Sequence, residues 1–200
     1  MPRIAGQVDE AKTEAILEAA SVLFAEKGLG ASMDEIARRA GVSKQTLYNR
    51  YASKPEIARA LAERRSDAIT APLRAGGDVE TVLTAMAATM LEKVCHGGKG
   101  ASLRGVALLS PEAPGLALAI YDAGPGESLR RLAAWLADQD AAGRLRIPDP
   151  AVAAEMFAGM ALGHGHLRSL LGVAHPSADR IPQQARETAR RFIRAFAPEG

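Results

Sequence analysis

The sequence predicts an all-α protein, with a small three-helix unit at the N-terminus and a larger apolar helical body after it. Three observations predict it. Strand signals are nearly absent, because β-branched and aromatic residues are sparse and no long alternating run occurs. Apolar residues recur instead at the three- and four-residue spacing of one helix face. Short capping signatures and glycines punctuate the first third of the chain at close intervals.

The chain has 200 residues, enough for one large domain or two small ones with a sizeable core. Apolar residues make up 48% of it, which argues for a globular chain. Its 25 basic and 23 acidic residues leave a net charge of +2, so a basic signal has to be local. One cysteine, Cys95, excludes an intrachain disulfide and suits a reducing cytoplasm. The segment MPRIAGQVDEAK lacks the apolar run of a signal peptide. The most apolar stretches, such as AAEMFAGMALG, are too short to span a bilayer. The expected location is therefore the cytoplasm, with no membrane partner.

The first predicted helix runs from about Asp9 to Lys27, with Ile16, Ala20, Leu23 and Phe24 on one face. Gly28 and Gly30 end it. Ser32 caps a second helix, with Glu35 as the reciprocal box acid, and Gly41 breaks that helix after Ala40. Ser43 caps a third, inside the stretch GVSKQTLYNRYASK. In SKPE, Ser53 caps a fourth, Pro55 sits in the tolerated first turn and Glu56 is the box acid. This helix continues to about Arg74, before Gly76-Gly77. A helix follows from about Val79 to Val94, carrying Val82, Leu83, Met86, Met90 and Leu91. CHGGKGAS reads as a loop, and LRGVALLS and GLALAIYDAG as short helical pieces separated by Pro111 and Pro114. Longer helices are expected over about Glu127 to Ala142, Pro150 to Leu171 (capped by Asp149) and Pro182 to Phe196. The composition shifts within the fourth helix. The expected division is 9–55 for the small unit and 56–200 for the body.

GVSKQTLYNRYASK poses a question. It carries Lys44, Arg50 and Lys54 but no acid, with Arg38 and Arg39 just upstream, and it also has apolar Leu47 and Tyr51. A core helix needs only the apolar seam, and a solvated helix mixes both signs. Two short helices joined through AGVS make a helix-turn-helix, whose tight turn needs a glycine, here Gly41. The second helix of that motif enters a DNA major groove. Leu47 and Tyr51 would hold it to the other helices. Lys44, Gln45, Thr46, Tyr48, Asn49 and Arg50 would lie on its outer face and ends. Gln and Asn read adenine edges, Arg reads guanine, and Thr or Tyr contacts a thymine methyl or a phosphate. Lys44, Lys54 and the hydroxyls of Ser32 and Ser43 suit phosphates at helix N-termini.

The stretch MDEIARRAGVSKQTLYNRYASKPEIARAL, with the first helix ending in LFAEKG, resembles the N-terminal DNA-binding domain of the TetR/AcrR family of bacterial transcriptional regulators. AGRLRIPDPAVAAEMFAGMALG and SPEAPGLALAIYDAGP resemble the C-terminal domain of its AefR-like branch. The resemblance implies an all-α homodimer whose C-terminal body binds a small ligand and dimerises through its last two helices. It implies that Ser32, Ser43, Lys44, Gln45, Thr46, Tyr48, Asn49, Arg50 and Lys54 fall where relatives touch DNA. The expected partners are double-stranded operator DNA, a small-molecule inducer and a second copy of the chain. No cofactor and no catalysis are expected. Two other readings stand beside this one. An enzyme or carrier would need a clustered acid/base set in the C-terminal body. A DNA-binding helical protein without a ligand would have a solid core there.

Met86, Met90, Trp135, Phe157 and Met160 are candidates to line a ligand cavity, although such residues at helical spacing are often plain core. Gly159 and Gly163, four apart, would let another helix approach closely. With Ala185, Ala189, Phe192, Ile193 and Phe196 on the last helix they point to a four-helix dimer interface. His164 and His166 face different ways on a helix, and zinc sites use tighter, richer sets, so no metal is expected. Cys95 has only His96 beside it as an activator. GGKGAS lacks the spacing of a phosphate-binding loop.

Overall fold

The computed structural model describes residues 5–95 and 113–198. Among these residues there are helices and no strands. They divide into two compact units, one of residues 5–62 and 113–120, the other of 63–95 and 121–198.

In the first unit, α1 (Ala5–Lys27) packs against α2 (Met33–Ala40), and α2 leads into the short α3 (Lys44–Tyr48). Helix α4 (Lys54–Ala75) contributes its first turns here and the rest to the second unit. Ile16, Ala20, Leu23 and Phe24 bury the predicted face of α1 against Ile36, Leu47, Ile57 and Leu61. Helix α1 starts before Asp9, because nothing in its first residues stops it. At the start of α4, Glu56 accepts from the backbone N–H of Ala52 at 2.8 Å rather than from that of Ser53. The box acid therefore reaches one residue further back than the spacing predicts.

The second unit is built on α5 (Val79–Met90), α7 (Glu127–Ala141), α8 (Pro150–Leu162) and α10 (Ile181–Ala195), with α9 (Gly165–Leu171) following α8. Helix α10 packs along α5, and α7 packs on α8. Leu83, Met86, Leu132, Leu136, Phe157 and Phe192 form the centre of one apolar cluster. The Phe157 and Phe192 rings meet edge to face, with centroids 5.2 Å apart.

Three elements differ from expectation. The helix after Val79 widens into a π-helical turn at Leu91–Cys95. Helix α6 (Pro114–Tyr121), a π turn at Asp122–Gly126 and α7 follow one another without an intervening loop. Pro125 lies in that turn, where it has no N–H to donate, so the wider turn accommodates it without breaking the helix. The helix expected from Pro150 to Leu171 is divided at Gly163, whose φ of 48° and ψ of −125° lie outside any helix. The CHGGKGAS loop (apart from the backbone of Cys95), the LRGVALLS piece and Pro111 lie outside the described residues.

Candidate nucleic-acid interface

Local chemistry sets the two helices of the motif. The Ser32 hydroxyl accepts from the N–H of Glu35 at 3.2 Å, and the Glu35 carboxylate accepts from the N–H of Ser32 at 2.8 Å. The Lys27 ammonium holds the other carboxylate oxygen at 2.5 Å. This bond, then those from the Ser32 backbone and hydroxyl, pull the Glu35 carboxyl down to about 2. The stabilisation it contributes is complete above the ordinary carboxylate value and is lost as pH falls through about 2. Glu35→Gln is therefore expected to lower the melting temperature at pH 7 and to flatten its decline between pH 5 and 2. Melting curves of both proteins across that range check this. Parallel curves would show that the box contributes nothing.

Gly41 ends α2 in the left-handed conformation, φ 65° and ψ 29°, which costs any residue with a Cβ. Ser43 caps α3, accepting from the N–H of Thr46 at 3.1 Å. The two hydroxyls share a 2.8 Å hydrogen bond. Leu47 is fully buried and anchors α3 to the unit core, and Tyr51 packs beside it. Lys44, Gln45, Tyr48 and Asn49 are left exposed on one short helix, with Ser32, Arg38 and Arg39 exposed on α2 and its cap. Nearly half of the Tyr48 surface, 48%, is open.

The predicted residues are thus brought together, but not in one role. The Lys44 ammonium is 2.5 Å from Asp34, an exposed pair that a phosphate would have to displace. Arg50 turns inward. Its Nε donates to the Thr13 hydroxyl of α1 at 3.2 Å, and an Nη1 to the Thr46 carbonyl at 3.4 Å. It ties the end of α3 to α1, whereas its place in the sequence pointed to a base edge. Lys54 opens α4 and is half-buried.

The C-terminal candidates separate more sharply. Met86, Met90 and Phe157 are buried in the core cluster, with Trp135 partly buried against it. Met160 is 41% exposed and outside that cluster. Ala185, Ala189 and Phe192 are 0% exposed within the chain's own unit, because α10 spends this face on α5. Ile193 and Phe196 are half-buried against the same cluster. Gly159 and Gly163 are exposed, with nothing within 4 Å of where a Cβ would stand, and Gly163 is a helix terminator rather than a helix-packing position. The exposed apolar row on α8 is Val152, Met156 and Met160, with Leu167 and Leu171 exposed on α9. Their four-residue spacing is visible in the sequence; only the burial of the opposite face shows that they point outward.

Sequence reasoning also missed a polar cluster in the second unit. Arg131 donates to the Asp67 carboxylate at 2.6 Å, to the Thr70 hydroxyl at 3.1 Å and to Glu127 at 2.7 Å. Ser128 donates to Ser66 at 3.0 Å, and both are buried. Apart from Arg131 with Glu127, an i,i+4 pair on one helix, these partners lie more than sixty residues apart, so no local pattern marks them. Among the described residues no group of three or more His, Cys, Asp or Glu is placed to hold a metal ion. No helix among them is long and apolar enough to cross a membrane.

A tight glycine turn, two capped helices and an exposed amide- and lysine-bearing face on the second define a helix-turn-helix protein. Residues 16–61 match the profile of the bacterial regulatory proteins of the tetR family, and residues 81–198, more than half of the chain, match the AefR-like transcriptional repressor C-terminal domain. The chain belongs to the TetR family of transcriptional regulators, with a C-terminal domain of the AefR-like type. It is 45% identical over 60 residues to the HTH-type transcriptional activator FasR of Mycolicibacterium smegmatis, 30% of this chain and 27% of that protein. It is 45% identical over 58 residues to the HTH-type transcriptional repressor KstR2 of Mycobacterium tuberculosis, 28% of each. The match thus spans little more than a quarter of these curated relatives. The structure of the flavonoid-responsive regulator FrrA is similar over 94% of this chain and 98% of that one, with 32% identity and a TM-score of 0.66.

Proposed function

We propose that the chain is a cytoplasmic, ligand-responsive repressor, not an enzyme, that binds a palindromic operator as a homodimer and leaves it when a small apolar molecule binds. The observation that carries this reading is the outer face of α3, where Lys44, Gln45, Tyr48 and Asn49 stand exposed while Leu47 holds the helix in place. Ser32, Ser43 and Lys54, at the starts of α2, α3 and α4, suit the DNA backbone. Thr46 and Arg50 set the geometry of α3 through the bonds described above.

Repression rather than activation is favoured by the AefR-like C-terminal match, since relatives of both signs share the N-terminal domain. The dimer face is assigned to Val152, Met156 and Met160 of α8, with Gly159 and Gly163 between and beyond them. An apolar row left in water is the surface that a second copy would cover. Helix α4 contributes to both units, which gives ligand binding a route to the recognition helix. The similarity to FrrA, a flavonoid-responsive regulator, supports an apolar ligand. One observation favours a DNA-binding protein without a ligand: Met86, Met90 and Phe157 are already buried in the apolar core.

The test is selection of bound sequences from a random duplex pool by the full chain, repeated with a panel of flavonoids and fatty acids. Enrichment of a palindrome is expected, and its loss with one ligand class. That ligand should bind the free protein about 5- to 150-fold more tightly than the operator complex, because coupling between two sites is reciprocal. Enrichment that no ligand alters would leave the ligand-free reading; no enrichment would end both.

A further inference from the structure

On the outer face of α3, the Gln45 side-chain Nε2 donates to the Asn49 Oδ1 at 2.7 Å. An amide nitrogen carries two hydrogens, and this bond uses one. Gln45 keeps the other hydrogen and its Oε1, one donor and one acceptor on a single amide. Of the four bases, only adenine presents one acceptor and one donor, N7 and N6–H, on its own major-groove edge. A free glutamine would have to lose its rotamer freedom to offer that fork; here the neighbour one turn away already holds it. Arg50, the residue type that would favour guanine, is turned away towards Thr13 and the Thr46 carbonyl.

We propose that Gln45 is the adenine-reading residue of the recognition helix and that Asn49 is its positioning residue, so that the two amides specify one base pair together. This rests on the reading of the chain as a DNA-binding regulator. It departs from the simpler expectation that each amide reads a base of its own.

The sense of the bond gives the test its discrimination. Asn49→Asp keeps the accepting oxygen, whereas Gln45→Glu removes the donor. The experiment is sequence selection from a random duplex pool with the full chain and with Gln45→Ala, Asn49→Ala, the double variant, Asn49→Asp and Gln45→Glu. Gln45→Ala is expected to reduce preference for adenine at one position of the half-site by roughly 5- to 150-fold. Asn49→Ala should reduce it at that same position, and the double variant should lose no more than Gln45→Ala alone. Asn49→Asp should retain the adenine preference while binding all sequences more weakly, because it adds a negative charge near phosphates. Gln45→Glu should lose it. Effects at two different positions, additive losses at one, or retention by Gln45→Glu with loss in Asn49→Asp would each overturn the assignment. Failure of the unaltered chain to enrich any sequence would overturn the regulator reading and the assignment with it. Enrichment together with any of those three patterns overturns the assignment alone.

Discussion

Met156→Glu is expected to convert the proposed dimer into a soluble, folded monomer with sharply reduced operator affinity. Met156 is 53% exposed at the middle of the α8 row, between Val152 and Met160. In the free chain the new carboxylate would sit in water, so the fold itself should tolerate it within about 0.5 kcal/mol. In a twofold interface the same charge appears twice, on facing surfaces. A loss of about 2 kcal/mol per copy, ordinary for a central contact, raises the dimer dissociation constant roughly a thousandfold. Operator affinity falls with it, since one module lacks the second half-site. Sedimentation at micromolar concentration, together with a thermal melt, reads both quantities. A dimer that persists with full operator affinity would place the interface elsewhere.

Its neighbour should behave in the opposite way. Phe157 is 0% exposed, and its ring meets Phe192 edge to face. Phe157→Ala removes most of that burial and leaves a void that the surrounding helices fill only in part. The expected cost is about 3–5 kcal/mol, a large share of a domain's total stability. Chemical denaturation should show a lower midpoint with little change of slope. Were a natural ligand cavity already open around Phe157, the cost would fall towards the lower end and an apolar ligand would restore it. Measurement with and without that ligand therefore bears on the ligand question as well. The pair also explains why Phe192→Glu is a poor test of dimerisation, although its position in the chain invites it. Phe192 is fully buried in the chain's own unit, and a charge placed there would unfold the protein before any interface was questioned.

The polar cluster around Arg131 bears on how a ligand signal would leave the second unit. It joins α7 to the C-terminal half of α4 through Asp67 and Thr70. Asp67 and then Glu127 push the Arg131 guanidinium further up, and Arg131 and then Arg130 hold the Glu127 carboxyl below its ordinary range. Each partner thus favours the charged form of the other. As these side chains are partly exposed, Asp67 more than half so, screening keeps the net stabilisation small. Their importance is geometric: α4 contributes to both units, as does the continuous run from α6 into α7 on which Glu127 and Arg131 stand.

Much of the DNA-reading unit was determined by the sequence itself. Ser32 with Glu35, Gly41, and Ser43 with Thr46 act over three or four residues, so their consequences are written locally and the helices follow from them. The same holds for Asp149 at the start of α8. What the tertiary structure alone decided is which face each helix spends on its own core. Ala185, Ala189 and Phe192 on α10, and Val152, Met156 and Met160 on α8, are both apolar rows at helical spacing. One is consumed by α5, and the other is left exposed. Arg50 was likewise decided at a distance, by a hydroxyl thirty-seven residues earlier. An apolar or charged side chain carries its transfer energy wherever it stands, but its partner is chosen by the packing of elements far apart in the chain, and periodicity has no access to that choice.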